Sequence, residues 1–222
     1  MVEHFENIAT KYNLLNDFMS LGLHRRWKKH LVGLLEEGLC PDSKVLDLAT
    51  GTGDVAALFA TSVDSDKIYP VDPSLSMMNE GKKKYPFLSQ WALAEAESLP
   101  FHDDYFSVTT CTFGIRNFRD RPRAFKEIAR TLKPNGKFGI LEIHPIPRKL
   151  RYVPFQLFWK LGVPIWGSVF RHLKAYQYLR DSAAQFISPE VMVEELQPYF
   201  DVELKEALIG GGLVTLIIAK KR

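Results

Sequence analysis

An α/β architecture with a mostly parallel sheet covered on both faces is what this 222-residue sequence predicts. Three observations carry that expectation. Short apolar runs alternate with amphipathic stretches through the first two thirds of the chain. The first such run, "SKVLDLA", passes through a glycine-containing turn directly into "DVAALFATSV". At the far end, "DVELKEALI" and "LVTLIIAKK" join across Gly210 to Gly212 as a terminal β-hairpin would.

Two helices are expected first. "FENIATKYNLLNDFMS" carries apolar residues at helical spacing, and Gly22 separates it from a second helical stretch from about His24 to Glu37. The strand "SKVLDLA" and its helix follow. The alternation then repeats as "KIYPVD" with "SLSMMNEGKKK", "SQWALAEA" with a loop at "LPFHDD", "YFSVTTCTF" with "RPRAFKEIARTL", and "KFGILEI" after a turn at "KPNG". Beyond Pro145 the pattern breaks into a proline-rich and aromatic segment read as a helical insertion. "EVMVEELQPYF" then returns to an amphipathic helix before the hairpin. The whole reads as one domain over 1–222, with a helical lid at 1–38 and a helical substrate-side insertion at 146–186.

Composition narrows the function. With 46% hydrophobic and 25% charged residues, this is an ordinary globular chain with a substantial core. A net charge of +3, well dispersed, argues against nucleic acid as the main partner. The dense basic cluster "HRRWKKH" reads as a solvated helix face or as a contact with an anionic membrane or substrate. Two cysteines, Cys40 and Cys111, make no disulfide framework and suggest no metal site, which fits a reducing cytoplasm. The N-terminus shows no secretory pattern, and no segment offers the ~20 apolar residues of a membrane span.

The chemistry begins at "LDLATGTGD". Glycine there permits tight turning and close backbone approach to a ligand. The turn follows a strand bearing Asp47, and Asp72 ends the next strand about twenty residues on, where an acid can bind two ribose hydroxyls. A dinucleotide site has a similar layout, but Gly51 and Gly53 are followed by Val55 and Ala56 without a third glycine. Asp54 at the helix start would repel a pyrophosphate and suits a ligand with cationic groups. S-adenosylmethionine is such a ligand. Asp47 then falls near its amino-acid end, or else pairs within the turn.

From here the chain resembles the ubiquinone and menaquinone biosynthesis C-methyltransferases over nearly its whole length. The resemblance rests on "KYNLLNDFMSLGLHRRWKK", "LDLATGTGD", "LPFHDDYFS", "FGIRN", "LKPNGKFGILEI" and "YQYLRDSAAQF" in the family's order. It implies the seven-stranded, Rossmann-like class I methyltransferase fold, with strand order 3-2-1-4-5-7-6 and an antiparallel last strand. It also implies that Gly51, Thr52, Gly53, Asp72 and Pro73 surround the cofactor, that Glu95 and Ala96 hold the adenine, and that Thr112 lies beside the cofactor. Three positions depart from the family pattern: Glu95 stands for Asp or Asn, Asn135 for a glycine, and His144 for a serine. Asparagine tolerates a positive φ, so the turn at Asn135 should survive.

The implied reaction is C-methylation of a lipophilic quinol, demethylmenaquinol or the matching ubiquinol precursor. Alternatives are methylation of another lipid or aromatic compound, or a silent cofactor-binding scaffold. In-line displacement needs alignment and exclusion of water more than a protein nucleophile. A phenolate must nevertheless form and be stabilised. Arg116 and Asn117, at the end of the fourth strand, suit stabilisation of a negative oxygen. Second readings make Arg116 a structural partner of Asp120 or Glu127, and Asn117 the start of the following helix. His24, His144, Tyr178 or a water held by these groups remain open as the base. The aromatic segment from Tyr152 to Phe170 reads as a wall for a polyprenyl tail, as a site of peripheral contact with the inner face of a membrane, or as a packing layer or homodimer face.

Overall fold

A computed structural model describes residues 20, 22–145, 181–209 and 214–222. Residues 1–19 of the expected helical lid, Tyr178, most of the 146–186 insertion and the tip of the terminal hairpin lie outside the described residues.

The first described helix, α1 (Leu23–Leu35), buries His24, Lys28, Leu31, Val32 and Leu35, an i, i+4, i+7, i+8, i+11 pattern that lines one face. It is followed by β1 (Val45–Leu48), α2 (Asp54–Phe59), β2 (Ile68–Asp72), α3 (Leu75–Lys84), β3 (Ala92–Leu93) and β4 (Phe106–Thr112). Then come α4 (Arg121–Thr131), β5 (Leu132–Ile143), α5 (Pro189–Leu196), β6 (Phe200–Ile209) and β7 (Val214–Lys221). Residues 181–185, at the end of the expected insertion, are helical.

The strands form one seven-stranded sheet in the order β3-β2-β1-β4-β5-β7-β6. β1 to β5 run parallel, and β7 pairs antiparallel with both β5 and β6. All four residues of β1 are buried, because it lies mid-sheet under helices on both faces. Each face carries its own core. Leu31, Val32, Leu35, Val55 and Phe59 pack on one, and Phe125, Ile128, Met192 and Leu196 on the other. Trp27 is partly buried against the first core.

Gly139 in β5 is what lets α1 approach the sheet, since a Cβ there would run into the buried Leu35 and Leu31 side chains. Asn135 has φ 63°, the left-handed geometry expected where the family pattern has glycine. Two boundaries differ from expectation. β3 is only two residues long, and the "KPNG" turn is absorbed into β5, whose pairing with β4 shifts register between Phe106 and Val108. A register irregularity at a strand start is a tertiary event that local propensity does not encode.

Candidate active site

The strand order reverses between β1 and β4, and open α/β sheets bind ligands in the crevice at such a switch point, beyond the carboxyl ends of the strands. A cleft of about 860 Å³, open to solvent, lies there. Of the residues the sequence singles out, Gly51, Asp72, Pro73, Glu95, Ala96 and Asn117 line it together.

Backbone geometry makes the opening. Gly51 and Gly53 adopt φ of 59° and 83°. Ala49 and Phe113, which follow β1 and β4 and line the cleft, also have positive φ, at 49° and 57°. Such conformations cost on the order of 1–3 kcal/mol each and concentrate at ligand sites. A Cβ on Gly114 would meet the Ala49 Cβ and the Cys111 Sγ, so the two strand ends approach too closely for a side chain.

Asp72 is the buried carboxyl of this cleft, which Glu95, Glu97 and Arg119 also line. Its Oδ2 accepts the Gly51 N–H at 2.8 Å and its Oδ1 the Ser74 N–H at 2.8 Å. Each oxygen retains capacity for a further donor. Burial pushes the carboxyl up to about 6; the two backbone bonds pull it down and the neighbouring charge of Asp47 pushes it up. Ser74, which the sequence reading passed over, also caps α3 by accepting the Met77 N–H at 3.4 Å. Its signal was present as a serine directly before an amphipathic run.

The remaining turn residues serve the backbone. Asp47 is 1% exposed, accepts from the Thr50 hydroxyl, from the Thr110 hydroxyl at 2.7 Å and from the Ala56 N–H at 3.1 Å, and does not line the cleft. Burial raises its pKa against those bonds. Gly53 and the buried Thr52 shape the turn without lining the cleft, and Thr112 ends β4 outside it.

Asp54 is not the unpaired acid that its place at a helix start suggests. Lys28 lies 3.5 Å and Lys84 2.7 Å from its carboxylate, and the Tyr85 hydroxyl donates at 3.2 Å. Burial alone would raise its pKa, but Lys28, Lys84 and Tyr85 outweigh it and hold the group low. The charge of Asp54 is therefore balanced inside the protein instead of being offered to a cationic ligand.

Arg116 and Asn117 occupy a short 3₁₀ turn after β4, Ile115–Asn117. Asn117 faces the cleft, whereas Arg116 turns inward to a buried ion pair, Nη1 to Glu142 Oε1 at 2.7 Å, with side chains 4% and 0% exposed. Nη1 also donates to the Phe113 carbonyl, and the Arg116 N–H reaches Glu142 Oε2 at 3.3 Å. Neither expected structural partner of Arg116 holds it. Asp120 caps α4 through the Arg123 N–H, and Glu127 binds Arg130 and the Leu99 N–H. Asn117 does not start the next helix either, because Asp120 does. Among the described residues, Nε of Arg116 has no hydrogen-bond partner.

Glu95, expected to hold an adenine, is partly exposed and pairs with Arg119 at 3.0 Å. Glu97 accepts the Arg119 and Asp120 N–H groups at 2.6 and 3.1 Å, so it is engaged in fixing that loop. His24 is buried on α1 with its Nδ1 2.7 Å from the Ser20 hydroxyl, away from the cleft lining. His144, just past β5, is buried, and its Nδ1 meets the Ile187 carbonyl at 2.8 Å.

The model of the ubiE/COQ5 methyltransferase family matches residues 1–219. The chain belongs to this family. It is 37% identical to the mitochondrial 2-methoxy-6-polyprenyl-1,4-benzoquinol methylase of Leishmania donovani, over 93% of this chain and 78% of that protein. It is 38% identical to the demethylmenaquinone methyltransferase of Thermotoga maritima, over 87% and 84%. Among solved structures, a possible histamine N-methyltransferase of Thermotoga maritima shares the fold at TM-score 0.63 and 20% identity over the full length of both chains. A putative methyltransferase complexed with the Trm112 activator of Haloferax volcanii does so at 0.67 and 15%, over 98% of this chain and 97% of that one. As a ubiE/COQ5 family member, the chain is an S-adenosylmethionine-dependent methyltransferase. The donor set fits that cofactor, with a carboxylate able to take two adjacent hydroxyls beside a glycine turn that admits close approach. No helix among the described residues is long and apolar enough to cross a membrane.

Proposed function

We propose that this protein methylates a ring carbon of a reduced polyprenyl quinone precursor, demethylmenaquinol, the matching ubiquinol precursor, or both. One observation carries the reading. Asp72, with both oxygens still able to accept, and Asn117, a neutral donor, face one cleft at the β1/β4 switch point, in a chain whose relatives are named for quinol and demethylmenaquinone methylation.

When bound, S-adenosylmethionine supplies a methyl group carried on a sulfonium. Asp72 holds the ribose, Glu95 and Ala96 flank the adenine, and Gly51 lets the backbone come close. Arg116 braces the turn that presents Asn117, since its Nη1 is already committed to Glu142. Its Nε–H, buried and without a partner among the described residues, is the donor assigned to the substrate oxygen, beside the Asn117 amide. The exposed Arg25, Arg26 and Lys29 on α1 support contact with the inner face of a membrane, where a polyprenyl substrate partitions.

The test is incubation with methyl-labelled S-adenosylmethionine and either reduced demethylmenaquinone or 2-methoxy-6-polyprenyl-1,4-benzoquinol in detergent. Label is expected in one or both quinols. Cofactor binding without label in either would remove the substrate assignment.

A further inference from the structure

Three buried side-chain polar atoms lack a hydrogen-bond partner among the described residues: Thr109 Oγ1, Arg116 Nε and His144 Nε2. Two of them flank one carboxylate. Arg116 is bonded to Glu142 through its backbone N–H and its guanidinium, and His144 lies two residues beyond Glu142 at the carboxyl end of β5. One of the pair is a donor. The state of the other follows from its second nitrogen, because a carbonyl can only accept. The bond from Nδ1 to the Ile187 carbonyl therefore puts the hydrogen on Nδ1 and leaves Nε2 of the neutral ring as a bare acceptor. Phe186 packs against the ring at 5.5 Å between centroids, and the residue is 1% exposed. Leaving such an acceptor unmade inside a protein is costly, because water is not there to donate to it. A group that gives up a proton to Nε2 satisfies this orphaned acceptor. A ring hydroxyl is such a group.

We propose that His144 Nε2 is the catalytic proton acceptor for the quinol hydroxyl next to the methylated carbon. The role rests on the quinol reading above. The O–H bond breaks with its pair left on oxygen and its proton on Nε2. The ring carbon forms its bond to the methyl as the methyl–sulfur bond breaks with its pair going to sulfur. The carbon then loses its hydrogen as a proton to water, and the imidazolium returns its proton to the ring oxygen. Burial keeps the imidazole pKa below the usual value, so the ring is neutral and able to accept at pH 7; the Ile187 carbonyl and the nearby Glu142 and Glu190 pull it upward, and Lys205 opposes them.

His144→Asn retains an amide donor near the Nδ1 position while removing Nε2. At saturating cofactor it should lower kcat at least ~100-fold, the low end of general-base contributions. Cofactor Kd and the melting temperature should hold, and the fall in kcat that protonation of this imidazole causes on acidification should disappear. Raising the pH until the quinol ionises by itself should restore the rate. Wild-type kcat and pH profile in the variant would overturn the role while leaving the quinol reading intact. Wild-type protein that binds cofactor but labels no quinol would remove both. Should His144→Asn not fold, ¹⁵N NMR of the wild-type ring decides: the Nε2 signal should shift when the quinol is added, and an unmoved signal overturns the role.

Discussion

Acidifying the protein from pH 7 to pH 5 should pull two equilibria at Asp72 in opposite directions. Its carboxyl is buried against two backbone N–H groups and sits at about 6 instead of 3.8. A rise of about 2 units corresponds to roughly 3 kcal/mol at 1.36 kcal/mol per unit. The folded state binds this proton more tightly than the unfolded chain does. The group therefore penalises the fold above pH 6, and the penalty lifts as pH falls through 6 toward 3.8. Between pH 7 and pH 5 the cofactor-free protein should regain roughly 1 kcal/mol from this residue. Cofactor binding responds the other way, because the ribose hydroxyls need an ionised acceptor. With a carboxyl at about 6, the Kd should weaken about tenfold at pH 5 relative to pH 7. Asp72→Asn should remove both slopes and weaken binding at pH 7 by ~1–3 kcal/mol, the loss of charge-assisted hydrogen bonds. Urea unfolding and titration calorimetry of wild type and variant across this range separate Asp72 from other titrating groups. A wild-type Kd that stays flat from pH 7 to pH 5, or wild-type affinity in the variant, would refute the reasoning.

Arg116→Ala should destabilise the protein as well as slow it. Removing one partner of a buried ion pair costs about 3–5 kcal/mol, which at roughly 2–4 °C per kcal/mol lowers the melting temperature by about 6–20 °C. Scanning calorimetry checks this, and a Tm within 2 °C of wild type would show that Glu142 needs no partner. Gly139→Ala should cost about 1–3 kcal/mol by overpacking against Leu31 and Leu35, measured by urea unfolding, because α1 seats directly on that position. Cofactor Kd should change little in Gly139→Ala, since the site lies at the strand ends.

The strand and helix rhythm, the hairpin, the glycine turn and the reach from that turn to Asp72 were legible in local pattern, because side-chain period, turn residues and helix-start serines act over a few neighbours. The same is true of the left-handed Asn135. Pairing of charges was not legible. The partner of Arg116 is 26 residues away on the adjacent strand, and only the β4/β5 register brings Glu142 under it. Asp54 looked like a free acid at a helix start until α1 and α3 delivered Lys28 and Lys84 to it. The Asp47 carboxylate was readable as a ligand for the cofactor or as a brace for the turn, and Thr110 on the neighbouring strand settled where its bonds go.

Fold class and family were readable in the sequence, since both follow from periodicity and from motifs whose parts are near one another in the chain. The tertiary structure alone decided which polar groups are spent and which are left over. Arg116 has lost one nitrogen to Glu142, and His144 has its tautomer set by a carbonyl 43 residues away. Hydrogen-bond saturation is a property of atoms brought together across the sheet, where water is absent and every unmade bond costs free energy.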